Sequence, residues 1–180
     1  MKIGVISDTH DNMEFIKKFT DRFMQEKVDM VFHCGDIVAP FAWLAFKGLR
    51  ESNIPFFAVY GNNDGDRAAL NKIFGKVCKI EDDFLEKEVE GKKIIMFHHL
   101  SPNMVEAIAK SGEYDLLLKG HTHEVKNEKI GDTLVLNPGE GCGYLTGDPT
   151  AAIVDLKEMK AEIIRLNDVE TKKWLKGPSI

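Results

Sequence analysis

The sequence predicts an α/β domain on two observations: short β-branched runs alternate with amphipathic segments in the first third, and runs parted by tight-turn residues fill the remainder. Residues 2–7 are a β-branched run that stops at Asp8 and read as a buried strand. Asn12 then precedes Met13, Phe15, Ile16, Phe19, Phe23 and Met24, a helical spacing, with Asn12 as N-cap and Glu14 in the first turn. Residues 28–34 form a second strand-like run, halted by Gly35-Asp36, and Pro40 suits the first turn of a helix reaching Arg50. Residues 54–60 are a third run, halted by Gly61. Short connections of this kind give parallel strands with right-handed crossovers.

The pattern then changes. Residues 84–89 and 93–97 flank Glu90-Gly91 as a hairpin. Ser101-Pro102 is an N-cap and N1 pair for a helix running to Lys110, with Gly112 just past its end. Residues 116–119 are another buried run, and residues 125–130, 133–136, 151–156 and 160–166 follow as hairpins, the first pair around Gly131-Asp132. The second half is therefore expected to be largely antiparallel. No linker interrupts the chain, so residues 1–166 are expected to form one domain, with a polar tail over residues 167–180.

A chain of 180 residues, 43% hydrophobic and 29% charged, has the length for one core and the composition of an ordered protein. Its net charge of −5, with Lys pairs scattered among acidic residues, argues against a nucleic-acid partner, which calls for a basic stripe interleaved with aromatics. The aromatic stretch of Phe41, Trp43 and Phe46 reads as core packing or a subunit interface, leaving a homodimer as the macromolecular assembly in view. Cys34, Cys78 and Cys142 have no CxxC spacing and read as free thiols in a reducing compartment. The N-terminus turns polar too soon for a signal peptide and no apolar run would span a membrane, so a cytoplasmic protein is expected.

Polar residues gather where the runs end. Asp8 and His10 follow the first run, and Gly35 and Asp36 the second. Gly61, Asn62, Asn63 and Asp64 follow the third, His98 and His99 follow residues 93–97, and Gly120-His121-Thr122-His123 follow residues 116–119. Ligands of α/β sheets bind beyond the carboxyl ends of strands, so this clustering reads as a metal site. Asp8, Asp36, Asn62, His10, His98, His121 and His123 are a mixed oxygen and nitrogen set without thiolate, suited to manganese first, or to nickel, cobalt, iron or zinc. They are too many for one tetrahedral ion and fit two ions sharing a carboxylate, an arrangement that activates water and can bind both the attacking and the leaving oxygens of an in-line displacement.

These five groups, in this order, resemble the motifs of the calcineurin-like metallophosphoesterases, over residues 1–166. Through Asn137-Pro138-Gly139-Glu140 the chain is also similar to the small single-domain bacterial and archaeal phosphodiesterases of that family. The resemblance implies two β-sheets packed as a sandwich with helices outside. It implies one ion on Asp8, His10, Asp36 and His123, a second on Asp36, Asn62, His98 and His121, and Asp36 as the bridge. The implied reaction is hydrolysis of a small-molecule phosphate ester, a phosphodiester foremost, by a hydroxide bridging the ions. A phosphomonoesterase and a non-catalytic scaffold of the same fold are the alternatives.

Two departures matter. Asn63 stands where many members have a His that protonates the leaving group, and His99 stands where Gly is common after the fourth motif. Asn63, His99 and Asp64 are the candidate catalytic neighbours, with His99 a substitute acid or a substrate contact and Asp64 an orienting group. His33 reads as a core histidine or one that supports the ligands from behind, and Asn137 and Gly139 as shaping a loop at the rim. Arg67 is the cation nearest the motifs. With no inserted cap, an open, shallow pocket is expected.

Overall fold

The structure, a computed structural model, describes residues 1–166. The polar tail over residues 167–180 lies outside them. The first strand, β1, is Lys2–Ile6, followed by helix α1 (Met13–Gln25), β2 (Met30–His33), α2 (Trp43–Glu51) and β3 (Phe56–Val59). Asn12 caps α1 as expected, its Oδ1 accepting from the Phe15 amide at 3.2 Å. Lys27 ends that helix at a positive φ of 55°, which turns the Val28 amide back onto the Phe23 carbonyl at 3.1 Å. Pro40 opens a short 3-10 turn, Pro40–Ala42, rather than α2 itself.

Next come α3 (Arg67–Ile73), a 3-10 turn, and β4 (Lys79–Glu81), none of them anticipated. Helix α3 buries only Leu70 fully, and three residues are too few for β4 to show an alternating pattern. The hairpin of β5 (Phe84–Val89) and β6 (Lys92–Phe97) is as expected, as is α4 (Pro102–Lys110) with Ser101 capping the Met104 amide. β7 (Leu116–Leu118), β8 (Val125–Ile130), β9 (Thr133–Pro138), β10 (Thr150–Asp155) and β11 (Lys160–Arg165) complete the described chain.

The strands form two sheets, ordered β11-β10-β1-β2-β3-β4 and β5-β6-β7-β9-β8. The second half is largely antiparallel, as expected: β5–β6, β8–β9, β1–β10 and β10–β11 all pair that way. The hairpins are antiparallel, but β6–β7 and β7–β9 pair in parallel. Each hairpin places its inner strand beside β7, and helix α4 supplies the crossover that parallel neighbours require. The last hairpin leaves this sheet and adds to β1 of the first.

Two sheets flanked by helices give an α/β/β/α layering. Ile3, Val5, Phe32 and Val59 meet Ile94, Met96, Leu116 and Leu136 between the sheets. The opposite faces of β2 and β3 pack Val31, Phe56 and Ala58 against Phe19, Phe23, Phe46 and Leu49 of α1 and α2. Ile95, Phe97, Leu117 and Val135 pack against Val105 and Ala109 of α4. Being buried on both faces is why the first strands read as continuous apolar runs. Each fully buried Phe here contributes on the order of 1.5–3 kcal/mol. Phe46 belongs to this core, whereas Phe41 is exposed. Among the described residues no helix is long and apolar enough to cross a membrane. The functional consequence lies in strand direction: β1, β2 and β3 are mutually parallel, as are β6, β7 and β9, so each set delivers its polar loops to one sheet edge.

Candidate metal centre

The loops that leave these strands are pulled together by their own backbone. The amides of Asp8 and Thr9 donate to the Gly35 and Asp36 carbonyls at 3.0 and 3.1 Å, and the Gly120 amide donates to the His98 carbonyl at 3.1 Å. Asp8, His10, Asp36, His121 and His123 all have positive φ, at 51°, 37°, 60°, 72° and 60°. Such backbone costs on the order of 1–3 kcal/mol at each non-glycine residue and persists only where the surroundings over-determine it. Two glycines permit the crowding: a Cβ at Gly61 would run into the Asp36 carboxylate, and one at Gly120 into the Ser7 hydroxyl.

Three buried side chains hold the loops. Asp64 accepts from the amides of Asp36, Ile37, Val38 and Gly61 at 2.7–3.0 Å, tying the loop after β2 to the turn after β3. Every strong acceptor direction of that carboxylate is thereby used, which makes Asp64 a positioning residue. His33 accepts from the Gly35 amide at Nδ1, 3.1 Å, so its neutral ring donates from Nε2 to Thr9 Oγ1 at 3.0 Å. Burial lowers its pKa to about 3, and neither nitrogen is left for a metal. Asn137 is fully buried instead of lying at a rim; its amide donates to the Gly120 carbonyl and Thr122 Oγ1, both at 3.0 Å, and fastens the 120–123 loop. Gly139 lies at a φ of 84° with its amide donating to Asn137 Oδ1.

Within this frame the seven expected ligands converge as two groups. In the first, His123 Nε2 lies 3.4 Å from Asp8 Oδ1, His10 Nε2 lies 3.5 Å from Asp36 Oδ2, and the rings of His10 and His123 stack at 5.3 Å. In the second, His98 Nε2 lies 3.5 Å from Asp36 Oδ2 and 3.0 Å from Asn62 Oδ1, which is itself 2.8 Å from His121 Nδ1. Asp36 Oδ2 faces both groups.

Donor chemistry tests whether cations fit. His98 Nδ1 can only donate to the Cys34 carbonyl, 2.7 Å away, so in the neutral ring the Nε2 lone pair faces the Asp36 carboxylate. His123 Nδ1 likewise donates to Glu140 Oε2 at 2.5 Å and turns its Nε2 lone pair toward Asp8. Lone pairs facing lone pairs repel unless a cation lies between them. Asp8 Oδ1 and His10 Nε2 are moreover buried without a hydrogen-bond partner. Burial raises the Asp8 carboxyl above its ordinary range against the opposing pull of Ser7, His98 and His123, and burial lowers His121, helped by His99 and His98. The residues fit divalent ions on both sides of Asp36.

The sequence reading named Glu140 only within Asn137-Pro138-Gly139-Glu140 and gave it no role of its own. It is fully buried and accepts from His123 Nδ1, from the amides of Leu145 and Thr146, and from the Thr146 hydroxyl. Burial alone would raise its carboxyl, but the hydrogen bonds from His123 and Thr146 prevail and hold it below the usual range. The available signal was a lone acid just beyond the run at residues 133–136. Of the other flanking residues, Asn63 turns inward onto Asp36, while His99 is exposed, with its ring 4.0 Å from that of His121 and no hydrogen bond among the described residues.

The sequence profile of the calcineurin-like phosphoesterase superfamily domain matches residues 1–159. A phosphodiesterase of Methanocaldococcus jannaschii is 43% identical over 160 residues, 88% of this chain and 95% of that protein. A probable metallophosphoesterase of Methanothermobacter thermautotrophicus is 27% identical over 178 residues, 92% of each chain. The solved structure of a novel archaeal phosphodiesterase superposes with a TM-score of 0.84 at 41% identity, covering 92% of this chain and all of the other. Ligand loops gathered at one edge of a two-sheet sandwich, a profile match over residues 1–159 and 43% identity to a phosphodiesterase together establish that the chain belongs to the calcineurin-like phosphoesterase superfamily.

Proposed function

We propose that the protein hydrolyses phosphodiesters with two divalent transition-metal ions, manganese foremost, held by Asp8, His10, Asp36 and His123 on one side and by Asp36, Asn62, His98 and His121 on the other. The observation that carries this reading is the position of Asp36 Oδ2, 3.5 Å from both His10 Nε2 and His98 Nε2. Ions bound there supply hydroxide at neutral pH and neutralise phosphoryl charge. The chain's own residues do the rest. Asp64 and Asn63 hold Asp36 in place, Glu140 fixes the tautomer of His123, and His99, exposed beside His121, is the imidazole placed to give a proton to the leaving oxygen.

A diester rather than a monoester is favoured by charge. The cavity beside the centre is lined by one cation, Arg67, and by two acids, Asp83 and Glu86, a poor setting for a dianion. The named activity of the Methanocaldococcus jannaschii relative points the same way. The test is a panel of bis(4-nitrophenyl) and mono(4-nitrophenyl) phosphate on protein loaded with manganese, nickel, cobalt or zinc and assayed for metal content. Two ions per chain and faster turnover of the diester are expected. One ion per chain, or faster monoester turnover, would overturn the corresponding half of the reading.

A further inference from the structure

An open cavity of about 700 Å³ lies beside the centre. Asn62 and His98 of the expected ligand set line it, together with His99, so the cavity adjoins the place where a phosphate would be held. Its size lies in the range of pockets that enclose a small organic group, about 300–1,000 Å³.

Its lining is predominantly apolar. Ile95 and Phe97 come from β6, and Leu100, Met104 and Ile108 come from α4 and the loop before it. Tyr60 also lines it, with the Arg67 guanidinium carbon 4.8 Å from the ring centroid. Arg67 has no ion-pair partner among the described residues, so its planar cation remains available to a π system or to a single phosphate charge. Phe84 and Met104 stand at the cavity as large apolar side chains, 56% and 52% exposed among the described residues. Thioether, ring and guanidinium surfaces all favour flat π systems over saturated chains. Asp83 and Glu86 oppose a second anionic group.

We propose that this cavity is the specificity pocket of the enzyme and that it takes one flat, uncharged aromatic arm of the diester, of the aryl or nucleobase kind, packed against Met104, Tyr60 and Arg67. The inference rests on the phosphodiester reading above and names the substrate class for that same site.

The test keeps the leaving group constant. Methyl, phenyl and thymidine-5′ 4-nitrophenyl phosphate all release nitrophenolate and differ only in the arm that stays. With manganese-loaded protein the aromatic arms should lower KM about tenfold or more relative to methyl, the scale of burying one ring. The phenyl and thymidine probes distinguish a simple aryl pocket from one that reads a nucleobase. Met104→Glu and Phe84→Ser should erase that advantage, bringing the KM values of the aromatic esters up to that of the methyl ester. Calorimetric titration supplies a readout independent of turnover: phenylphosphonate should bind about tenfold more tightly than methylphosphonate, and Met104→Glu should equalise them. Equal KM values and equal phosphonate affinities would overturn the proposal, as would Met104→Glu dissociating a dimer without changing either, which would make the cavity a subunit interface. Should no diester be turned over while phenylphosphonate still binds selectively, the pocket stands and the phosphodiester reading fails.

Discussion

Asn63 grips both oxygens of Asp36: its backbone amide donates to Oδ1 at 2.8 Å and its side-chain amide donates to Oδ2 at 2.7 Å. The residue at the sequence position of a proton donor is thus engaged in orienting a carboxylate. Asp36 is 1% exposed, and these two hydrogen bonds fix its plane so that Oδ2 faces His10 and His98 at once.

Removing that carboxylate should therefore disable both halves of the centre. Asp36→Ala should abolish turnover and lower metal content at both positions. Asp36→Asn should do nearly the same, because an amide cannot balance divalent charge and its NH2 group would confront a donor from Asn63. Metal analysis alongside kinetics decides this; more than a few per cent of wild-type turnover with two ions retained would show that Asp36 does not bridge.

Glu140 makes a different prediction, one of positioning. With Nδ1 of His123 held by a carboxylate, Nε2 is left basic and correctly aimed. Glu140→Gln should cost about 10–100-fold in metal affinity, measured by competition with a chelator. Glu140→Ala should do the same and also lose stability, since the amides of Leu145 and Thr146 lose their buried acceptor. An unchanged affinity in a well-folded Glu140→Gln protein would mean that the His123 contact is only structural.

His33 links the fold to pH. Its folded pKa is about 3, lowered by burial, against an ordinary value of 6.5. Between those values the unfolded chain binds a proton that the folded chain does not. The stabilisation is full above pH 6.5 and is lost as pH falls toward 3, with a slope of up to about 1.4 kcal/mol per pH unit. His33→Gln can still donate to Thr9 and accept from Gly35, and should flatten that acid limb in urea titrations while leaving metal content intact. A lower metal content in His33→Gln would place His33 among the ligands instead.

Much of this was legible because strand ends are where sequence periodicity stops. Asp8, Asp36, Asn62, His98 and His121 each lie within a few residues of a buried run, and parallel strands carry such residues to a common edge. Strand direction in the second sheet was less legible, since runs parted by turns look alike whether a hairpin pairs with itself alone or flanks a parallel neighbour such as β7. The role of Glu140 needed three dimensions: its partner His123 is fixed by folding, and no spacing rule connects the two. Helix α3 and strand β4 were too short to register a period. The cavity, built from β6, α4 and the region around Arg67, has no local signature at all.

The proton donor is the remaining choice, and the geometry points to His99. Asn63 is committed to Asp36, while His99 is exposed beside His121 with no hydrogen bond among the described residues. General acid assistance is worth typically about 10²–10⁴-fold and matters most when the leaving alcohol is a poor one, because nitrophenolate departs without a proton. His99→Ala should therefore slow alkyl diesters selectively, spare nitrophenyl diesters, and remove the basic-side fall of the pH profile for alkyl substrates. Asn63→His should add little to alkyl turnover and should lower metal content, since the side-chain hydrogen bond to Asp36 Oδ2 is lost. The opposite pattern, with Asn63→His accelerating alkyl esters while His99→Ala leaves the alkyl-to-aryl ratio unchanged, would show that the wild-type enzyme works without an acid. A flat dependence on leaving-group pKa in wild type and both variants would remove proton transfer from the rate-limiting step and with it the role assigned to His99.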